Sequence, residues 1–201
     1  MTSTAAAYAA RAGEYADVLG SMGAVHPSDR ELVETWARRV PGRVLDAGSG
    51  PGHWTAHLAS LGIEVRGVDL VPDFVDHARR RFPGVSFDRG SIDDLDEPDA
   101  SCGGVLAWFS TIHHAPETIG VPLAEFRRVL RPGGRLALGF FTGRAVEPFD
   151  HAVTRAYRWP VASLRALLDA AGFDVIEVHV REEPGARPVG AIIAERRGDD
   201  C

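Results

Sequence analysis

Three glycines stand at alternate positions directly after an acidic residue and a short apolar segment. The stretch runs Val44-Leu45-Asp46-Ala47-Gly48-Ser49-Gly50-Pro51-Gly52. Glycine tolerates left-handed backbone conformations, and its missing side chain lets backbone N–H groups come close to a ligand. In open α/β sheets, nucleotides bind against turns of this kind at the carboxyl end of a parallel strand. The spacing therefore predicts a nucleotide-type ligand against residues 46–52.

A second acid, Asp69, ends the next apolar segment, 19 residues after Gly50. At the edge of a nucleotide pocket, such a carboxylate accepts hydrogen bonds from both ribose hydroxyls and repels a 2′-phosphate. The dinucleotide fingerprint G-x-G-x-x-G needs a third glycine where His53 stands, and Gly52 comes one residue too early. The pattern therefore disfavours an NAD-dependent oxidoreductase, which is kept as a weaker alternative.

Two consecutive histidines, His113 and His114, follow the apolar run of residues 102–109. Imidazole titrates near neutral pH, so either ring is a candidate general base. The alternative is structural, with one ring bonded to backbone and the other facing solvent. No His, Cys, Asp and Glu spacing indicates a metal site, and the acids at positions 93, 94, 96 and 97 are interpreted as a solvated loop.

Strands and helices alternate around these residues. Apolar strands are predicted at 44–47, 64–70, 85–88, 102–109 and 135–141, with helices between them. A capping box, Ser28-Asp29-Arg30-Glu31, predicts a helix before the first strand. Strands at 173–180 and 189–195 are joined by a link too short for a crossover, so they should be antiparallel. The pattern predicts an α/β protein with a doubly wound sheet and one antiparallel edge.

The length, net charge and cysteine content limit the number of domains and the classes of binding partner. The chain has 201 residues, a formal net charge of −6 and two cysteines. This length fits one domain, which we divide into an N-terminal helical cap (1–40), a ligand-binding core (43–141) and a C-terminal section (142–201). The net charge argues against nucleic acid, and the absence of a leader or a 20-residue apolar run predicts a cytoplasmic protein that does not bind membranes.

Four motifs that occur in a fixed order along the chain resemble those of a known protein family. They are the turn 46–52, the acid Asp69, the helix–Pro132-Gly133-Gly134–strand unit, and the step Ala171-Gly172-Phe173. Together they resemble the class I S-adenosylmethionine-dependent methyltransferases, in their small-molecule branch. The resemblance implies a Rossmann-like, seven-stranded sheet of order 3-2-1-4-5-7-6 with strand 7 antiparallel. It also implies S-adenosylmethionine as cofactor and S-adenosylhomocysteine as product.

The resemblance also implies roles for individual residues. Asp46 would lie near the amino group of the cofactor, Asp69 would hold the ribose, and Leu70 and Ile92 would pack against the adenine. Relatives hold the adenine amine with an acid where Ser91 stands, so Ser91, Asp93 or water must take that role. The predicted cofactor-binding residues are Tyr15, Asp46, Ala47, Gly48, Ser49, Gly50, Gly52, Asp69, Leu70, Ser91, Ile92 and Trp108.

The acceptor is expected to be a small molecule, methylated at an oxygen, nitrogen or carbon atom. Residues 108–114 should lie beside the transferred methyl group, and the signatures of nucleic-acid methyltransferases are missing from them. The predicted catalytic residues are His113 and His114, and the predicted substrate residues are Tyr8, His113, His151 and Tyr157. A cofactor-binding regulatory or partner protein without methyl transfer is the alternative, and we expect a monomer or a homodimer.

Overall fold

The computed structural model describes residues 3–9 and 20–198. Six α-helices lie in these ranges: α1 (Ser3–Ala9), α2 (Pro27–Arg38), α3 (His53–Ser60), α4 (Pro72–Arg81), α5 (Gly120–Val129) and α6 (Val161–Ala170). The strands of the same ranges are β1 (Val44–Ala47), β2 (Val65–Asp69), β3 (Ser86–Arg89), β4 (Cys102–Trp108), β5 (Leu130–Thr142), β6 (Glu147–Asp150), β7 (Arg155–Trp159), β8 (Phe173–Arg181) and β9 (Val189–Arg196).

The main sheet has the order β3-β2-β1-β4-β5-β9-β8. Strands β1 to β5 are parallel, and β9 runs antiparallel between β5 and β8. The sixth and seventh strands of the prediction are β8 and β9, so the predicted order with an inserted antiparallel strand is confirmed. The carboxyl ends of β1, β2 and β4 meet at one edge, which brings the glycine turn, Asp69 and residues 109–114 together.

Helices cover both faces of this sheet. On one face, Phe126 of α5 and Leu164 and Leu168 of α6 pack in a core cluster with β-strand residues. On the other, Trp36 of α2 and Leu58 of α3 pack in a second cluster. Because central strands are buried on both sides, β4 is an almost continuous apolar run rather than an alternating one.

The sequence did not predict the β6–β7 hairpin, which lies in the section 142–159. Strand β7 pairs with β5 at two positions, Phe141↔Arg158 and Thr142↔Trp159. Because β9 occupies the other edge of Phe141, the hairpin lies on the β4 side of β5, beyond the end of β4. The Tyr157 N–H donates to the Ile112 carbonyl at 2.8 Å, which ties the hairpin to the segment after β4.

The N-terminal elements differ in detail from the prediction. Helix α2 begins at Pro27, and its cap is His26, whose Nδ1 accepts from the Ser28 N–H at 3.2 Å. The expected cap at Ser28 is therefore wrong by two residues, since an imidazole nitrogen replaces the hydroxyl as acceptor. Of the predicted helix at 4–19, the structure describes α1, and residues 10–19 lie outside the described ranges.

The acidic loop 93–97 is not uniformly solvated, because Glu97 is 6% exposed. Its carboxylate binds Arg43, before β1, and Arg66 of β2, the latter at 3.0 Å. A buried carboxylate needs such partners, since desolvation penalises an isolated charge. Glu97 therefore joins β1, β2 and the loop before β4, and the expectation of a solvated side chain was wrong for this residue.

We predict that Glu97→Ala lowers the free energy of unfolding by about 2–4 kcal/mol, because it leaves two guanidinium groups without their shared partner. Asp96→Ala is the matched control: Asp96 is exposed, and its loss should cost no more than about 0.5 kcal/mol. Urea unfolding of the two variants measures both values. Equal effects would show that the Glu97 contacts contribute nothing specific.

Candidate functional site

The glycine turn uses its three glycines for different reasons. All three have positive φ: +83° at Gly48, +53° at Gly50 and +87° at Gly52. A Cβ at Gly48 would lie 2.3 Å from Ser110 Cβ, and one at Gly52 would lie 2.7 Å from Ala78 Cβ. A Cβ at Gly50 would meet no atom within 4 Å. Packing therefore requires Gly48 and Gly52, whereas Gly50 leaves open space over its backbone, as a ligand-binding turn needs.

Asp69 holds this turn in place. It is 8% exposed; its Oδ2 accepts from the Gly50 N–H at 2.7 Å, and its Oδ1 accepts from the Val71 N–H at 2.8 Å. Burial raises the pKa of Asp69 above its ordinary value, while the two backbone N–H bonds oppose the rise. Each carboxylate oxygen has a further lone pair, so the group still has capacity for two hydroxyl donors.

Asp46 lies at the end of β1 and is 2% exposed. The Thr55 hydroxyl donates to its Oδ2 at 2.6 Å. Burial raises the pKa of Asp46 to about 7; the Thr55 bond opposes this rise, and the charge of Asp69 adds to it. A cationic group placed beside Asp46 would favour its ionised form, so the site suits an ammonium ligand.

Two cavities adjoin at the turn. The Asp69 cavity has a volume of about 260 Å³, and the Asp46 cavity one of about 490 Å³. Both are lined by Gly48, Gly50, Trp108 and Phe109, which places them side by side. The predicted residues that line the Asp69 cavity are Tyr8, Gly48, Gly50, Asp69, Leu70, Ser91, Ile92, Trp108, His113 and His114. Those that line the Asp46 cavity are Asp46, Gly48, Ser49, Gly50, Trp108 and His151.

Three of the predicted site residues that the structure describes line neither cavity. Ala47 is fully buried in the core, and Gly52 packs against Ala78 and Phe87. Tyr157 is partly buried and packs against the main core cluster. Tyr15 lies outside the described residues.

His113 is held by two hydrogen bonds. Its Nδ1 lies 2.7 Å from the Arg155 carbonyl oxygen, and its Nε2 lies 2.8 Å from the Tyr8 hydroxyl. Because a carbonyl only accepts, Nδ1 carries the hydrogen, and Nε2 accepts from Tyr8. Burial lowers the pKa of His113 below its ordinary value, against the Arg155 bond. The ring is therefore a neutral acceptor whose tautomer is fixed by the chain.

His114 is held differently. Its Nε2 lies 2.8 Å from Asp93 Oδ1, and its Nδ1 is buried with no hydrogen-bond partner among the described residues. The Asp93 N–H donates to the Ser91 hydroxyl at 3.2 Å. His114, Asp93 and Ser91 therefore form one polar group on the wall of the Asp69 cavity.

Several lining residues escaped the sequence analysis, among them Phe74, Asp29, Phe141 and Arg181. Phe141 stands near the end of β5, so the rule that parallel strands end at one edge could have located it. Phe109 lies in the predicted segment, but its φ of +56° was not foreseeable. Such a backbone costs an aromatic residue about 1–2 kcal/mol, and strain of this kind concentrates at functional sites.

Within residues 3–9 and 20–198, no group of three His, Cys, Asp or Glu side chains is arranged to hold a metal ion. No helix in these ranges has both the length and the apolar character needed to cross a bilayer.

Known proteins resemble the chain in sequence. The family model described as "Methyltransferase domain" matches residues 44–134. A demethylmenaquinone methyltransferase of Beutenbergia cavernae is 30% identical over 169 residues, covering 83% of this chain and 69% of that protein. An arsenite methyltransferase of Halobacterium salinarum is 32% identical over 167 residues; the match covers 75% of this chain but only 42% of the length of that protein.

A solved structure resembles it over nearly its whole length. The 1,6-didemethyltoxoflavin-N1-methyltransferase of Burkholderia thailandensis, with bound 1,6-didemethyltoxoflavin and S-adenosylhomocysteine, superposes with a TM-score of 0.80. The two chains are 25% identical, and the match covers 96% of this chain and 87% of the other.

The buried acid of the site predicts a pH dependence. The pKa of Asp46 rises from 3.8 to about 7 on folding, so between these values the unfolded chain loses a proton that the folded chain keeps. Its contribution to stability is complete below pH 3.8 and is lost as the pH rises to about 7. The stability of the wild type relative to Asp46→Asn should fall over this range by up to about 1.4 kcal/mol per pH unit.

Urea unfolding at several pH values measures this difference. Asparagine keeps an oxygen that accepts from Thr55 and cannot titrate, so the variant isolates the carboxyl group. Asp76→Asn, on the exposed face of α4, is the control and should differ from the wild type by a constant amount. A difference between wild type and Asp46→Asn that is independent of pH would contradict the prediction.

Proposed function

Because this chain belongs to the class I S-adenosylmethionine-dependent methyltransferases, we propose that it methylates an oxygen, nitrogen or carbon atom of a small-molecule acceptor. As a member of the family it is an enzyme, and S-adenosylmethionine is its methyl donor. The observation that carries the proposal is the junction of two cavities at Gly48, Gly50, Trp108 and Phe109. This junction provides space for two ligands whose reacting ends meet.

The adenosine part of the cofactor fits the Asp69 cavity. Asp69 offers the remaining lone pairs of its carboxylate to the ribose hydroxyls, and Leu70 and Ile92 supply apolar surface for the adenine. Ser91, Asp93 and His114 form the polar group on the same wall. We assign the adenine amine to this group, because it brings an acid into the cavity although Ser91 stands where relatives carry one.

The methionine part of the cofactor fits the beginning of the Asp46 cavity. Asp46 lies there as a buried carboxyl group whose ionisation an ammonium would favour. Gly50 opens its backbone toward both cavities, and Ser49 lines the same wall. The remainder of the Asp46 cavity, toward Phe141 and His151, is left for the acceptor.

When bound, the cofactor supplies a sulfonium-activated methyl group: the acceptor lone pair forms the new bond to the methyl carbon, and the broken carbon–sulfur bond leaves S-adenosylhomocysteine. The chain has to align the acceptor, exclude water and receive a proton where the acceptor loses one. Tyr8 donates its hydroxyl hydrogen to His113 Nε2, so a proton taken up at the Tyr8 oxygen can pass on to His113. We assign the base role to this pair and place His114 on the adenine side.

Three observations support a small acceptor. The Burkholderia relative binds 1,6-didemethyltoxoflavin, and the relatives from Beutenbergia and Halobacterium are named for demethylmenaquinone and arsenite. The formal net charge of −6 disfavours nucleic acid. We propose a single catalytic domain over residues 1–201 that acts as a monomer or a homodimer.

We predict that Gly50→Ala weakens the binding of S-adenosylhomocysteine about tenfold or more, because the added methyl group enters the ligand space. Gly62→Ala is the matched control: its φ is +80°, and its Cβ also meets nothing within 4 Å, but Gly62 lines neither cavity. The control should bind with the affinity of the wild type. Isothermal titration calorimetry measures both, and NAD should give no heat; binding of NAD in preference to S-adenosylhomocysteine would overturn the proposed function.

We predict that His113→Gln lowers kcat about a hundredfold or more with an acceptor that loses its proton during transfer, because it removes the proton-accepting nitrogen. His114→Gln should change kcat less and weaken the binding of the cofactor instead. An acceptor screen that detects released S-adenosylhomocysteine provides the assay. If kcat stays within twofold of the wild type in both variants, neither histidine is the base.

A further inference from the structure

A continuous row of rings lies at the carboxyl ends of β4 and β5. It consists of Phe109, Phe141, Phe149, His151 and His113. The centroids of Phe109 and Phe141 are 5.1 Å apart, as are those of Phe141 and Phe149. His151 lies 5.9 Å from Phe141 and 5.5 Å from His113. The row therefore joins the end of β5, the β6–β7 hairpin and the segment after β4.

We propose that this row is the acceptor site and that it takes an uncharged planar aromatic or heteroaromatic ring, with the Nδ1 atom of His151 recognising a polar atom of that ring. The inference rests on the proposed function and names its substrate class. Phe109, Phe141 and His151 line the Asp46 cavity, so the row faces the space left beside the cofactor.

The aromatic lining of the site favours a planar aromatic ligand. The rings of the row meet edge to face or tilted: 60° between Phe109 and Phe141, 81° between Phe141 and Phe149, and 70° between His113 and His151. The three rings of the row that line the cavity are only partly buried, so they keep accessible surface for a further ring. Aromatic pairs gain about 0.5–1.5 kcal/mol beyond the area they bury, which a saturated ligand of the same size does not obtain.

The charges around the site favour a neutral ligand. Arg181, which lines the Asp46 cavity, donates to Asp29 at 2.8 Å and to Glu183 at 3.3 Å, so its charge is already compensated. The guanidinium groups of Arg158 and Arg187 lie over the Phe149 ring, at 4.9 Å and 5.2 Å from its centroid. Neither Arg158 nor Arg187 lines the Asp46 cavity, so an anionic ligand there would meet no arginine without an acidic partner among the described lining residues.

His151 supplies the polar contact. Its Nδ1 is buried and has no hydrogen-bond partner within residues 3–9 and 20–198. Burial, together with the electrostatic effects of His113 and Arg187, lowers the pKa of His151 to about 4, so the ring is neutral. A buried nitrogen without a partner is costly, and a hydroxyl group of the acceptor would satisfy it in either tautomer of the ring, because a hydroxyl both donates and accepts.

The test is calorimetry on the full chain saturated with S-adenosylhomocysteine, using three bicyclic probes: 2-naphthol, decahydro-2-naphthol and 2-naphthoate. We expect 2-naphthol to bind at least fivefold more tightly than each of the others. Equal or tighter binding of decahydro-2-naphthol would overturn the planar requirement. Equal or tighter binding of 2-naphthoate would overturn the requirement that the ligand be uncharged.

Three variants locate the probe. Phe141→Leu keeps apolar volume but removes a ring, and His151→Phe keeps a ring but removes the nitrogen. Each variant should weaken the binding of 2-naphthol about fivefold. Phe82→Leu, an equally conservative change on the distant α4–β3 side, should leave it unchanged. If the first two variants bind S-adenosylhomocysteine and also bind 2-naphthol as tightly as the wild type does, the inference is overturned. Failure of the wild type to bind S-adenosylhomocysteine overturns the proposed function itself.

Discussion

The carboxylate of Asp69 is the contact on which the site depends. It accepts one backbone N–H from the glycine turn and another from the residue that precedes α4. Burying a carboxylate is unfavourable, and these two bonds are the compensation that makes its place at the end of β2 possible. In return they fix the turn against β2. The shape of the Asp69 cavity is therefore set by the fold itself, and a ligand that binds there does not have to order the turn first.

The structural features that could be predicted are those set by residues close to one another in the sequence. Glycine at alternate positions after Asp46 specifies a turn, because only glycine adopts positive φ there and fits against Ser110 and Ala78. Strand order followed from the apolar segments together with the family resemblance. Of the twelve residues predicted from the sequence to bind the cofactor, seven line the Asp69 cavity, and Asp46 and Ser49 line the Asp46 cavity beside it.

The parts that escaped prediction depend on contacts between distant segments. Tyr8 and His113 are 105 positions apart, and no local pattern signals their hydrogen bond. Glu97 is buried because it pairs with two arginines that lie elsewhere in the sequence. Its neighbours in the sequence are acidic, and they alone predicted a solvent-exposed side chain. The strands of the β6–β7 hairpin, Glu-Pro-Phe-Asp and Arg-Ala-Tyr-Arg-Trp, are interrupted by charged residues and a proline, so no apolar run marks them as β1 is marked.

The attachment of that hairpin has a consequence for how the enzyme can change. Two residue pairs join it to β5, whereas seven join β5 to β9. Insertions, deletions or exchanges in residues 143–154 would therefore leave the main sheet and the glycine turn intact. On the proposed assignment of the acceptor site, exchange of this one short segment would change the acceptor preference of the enzyme without changing the cavity proposed for the cofactor.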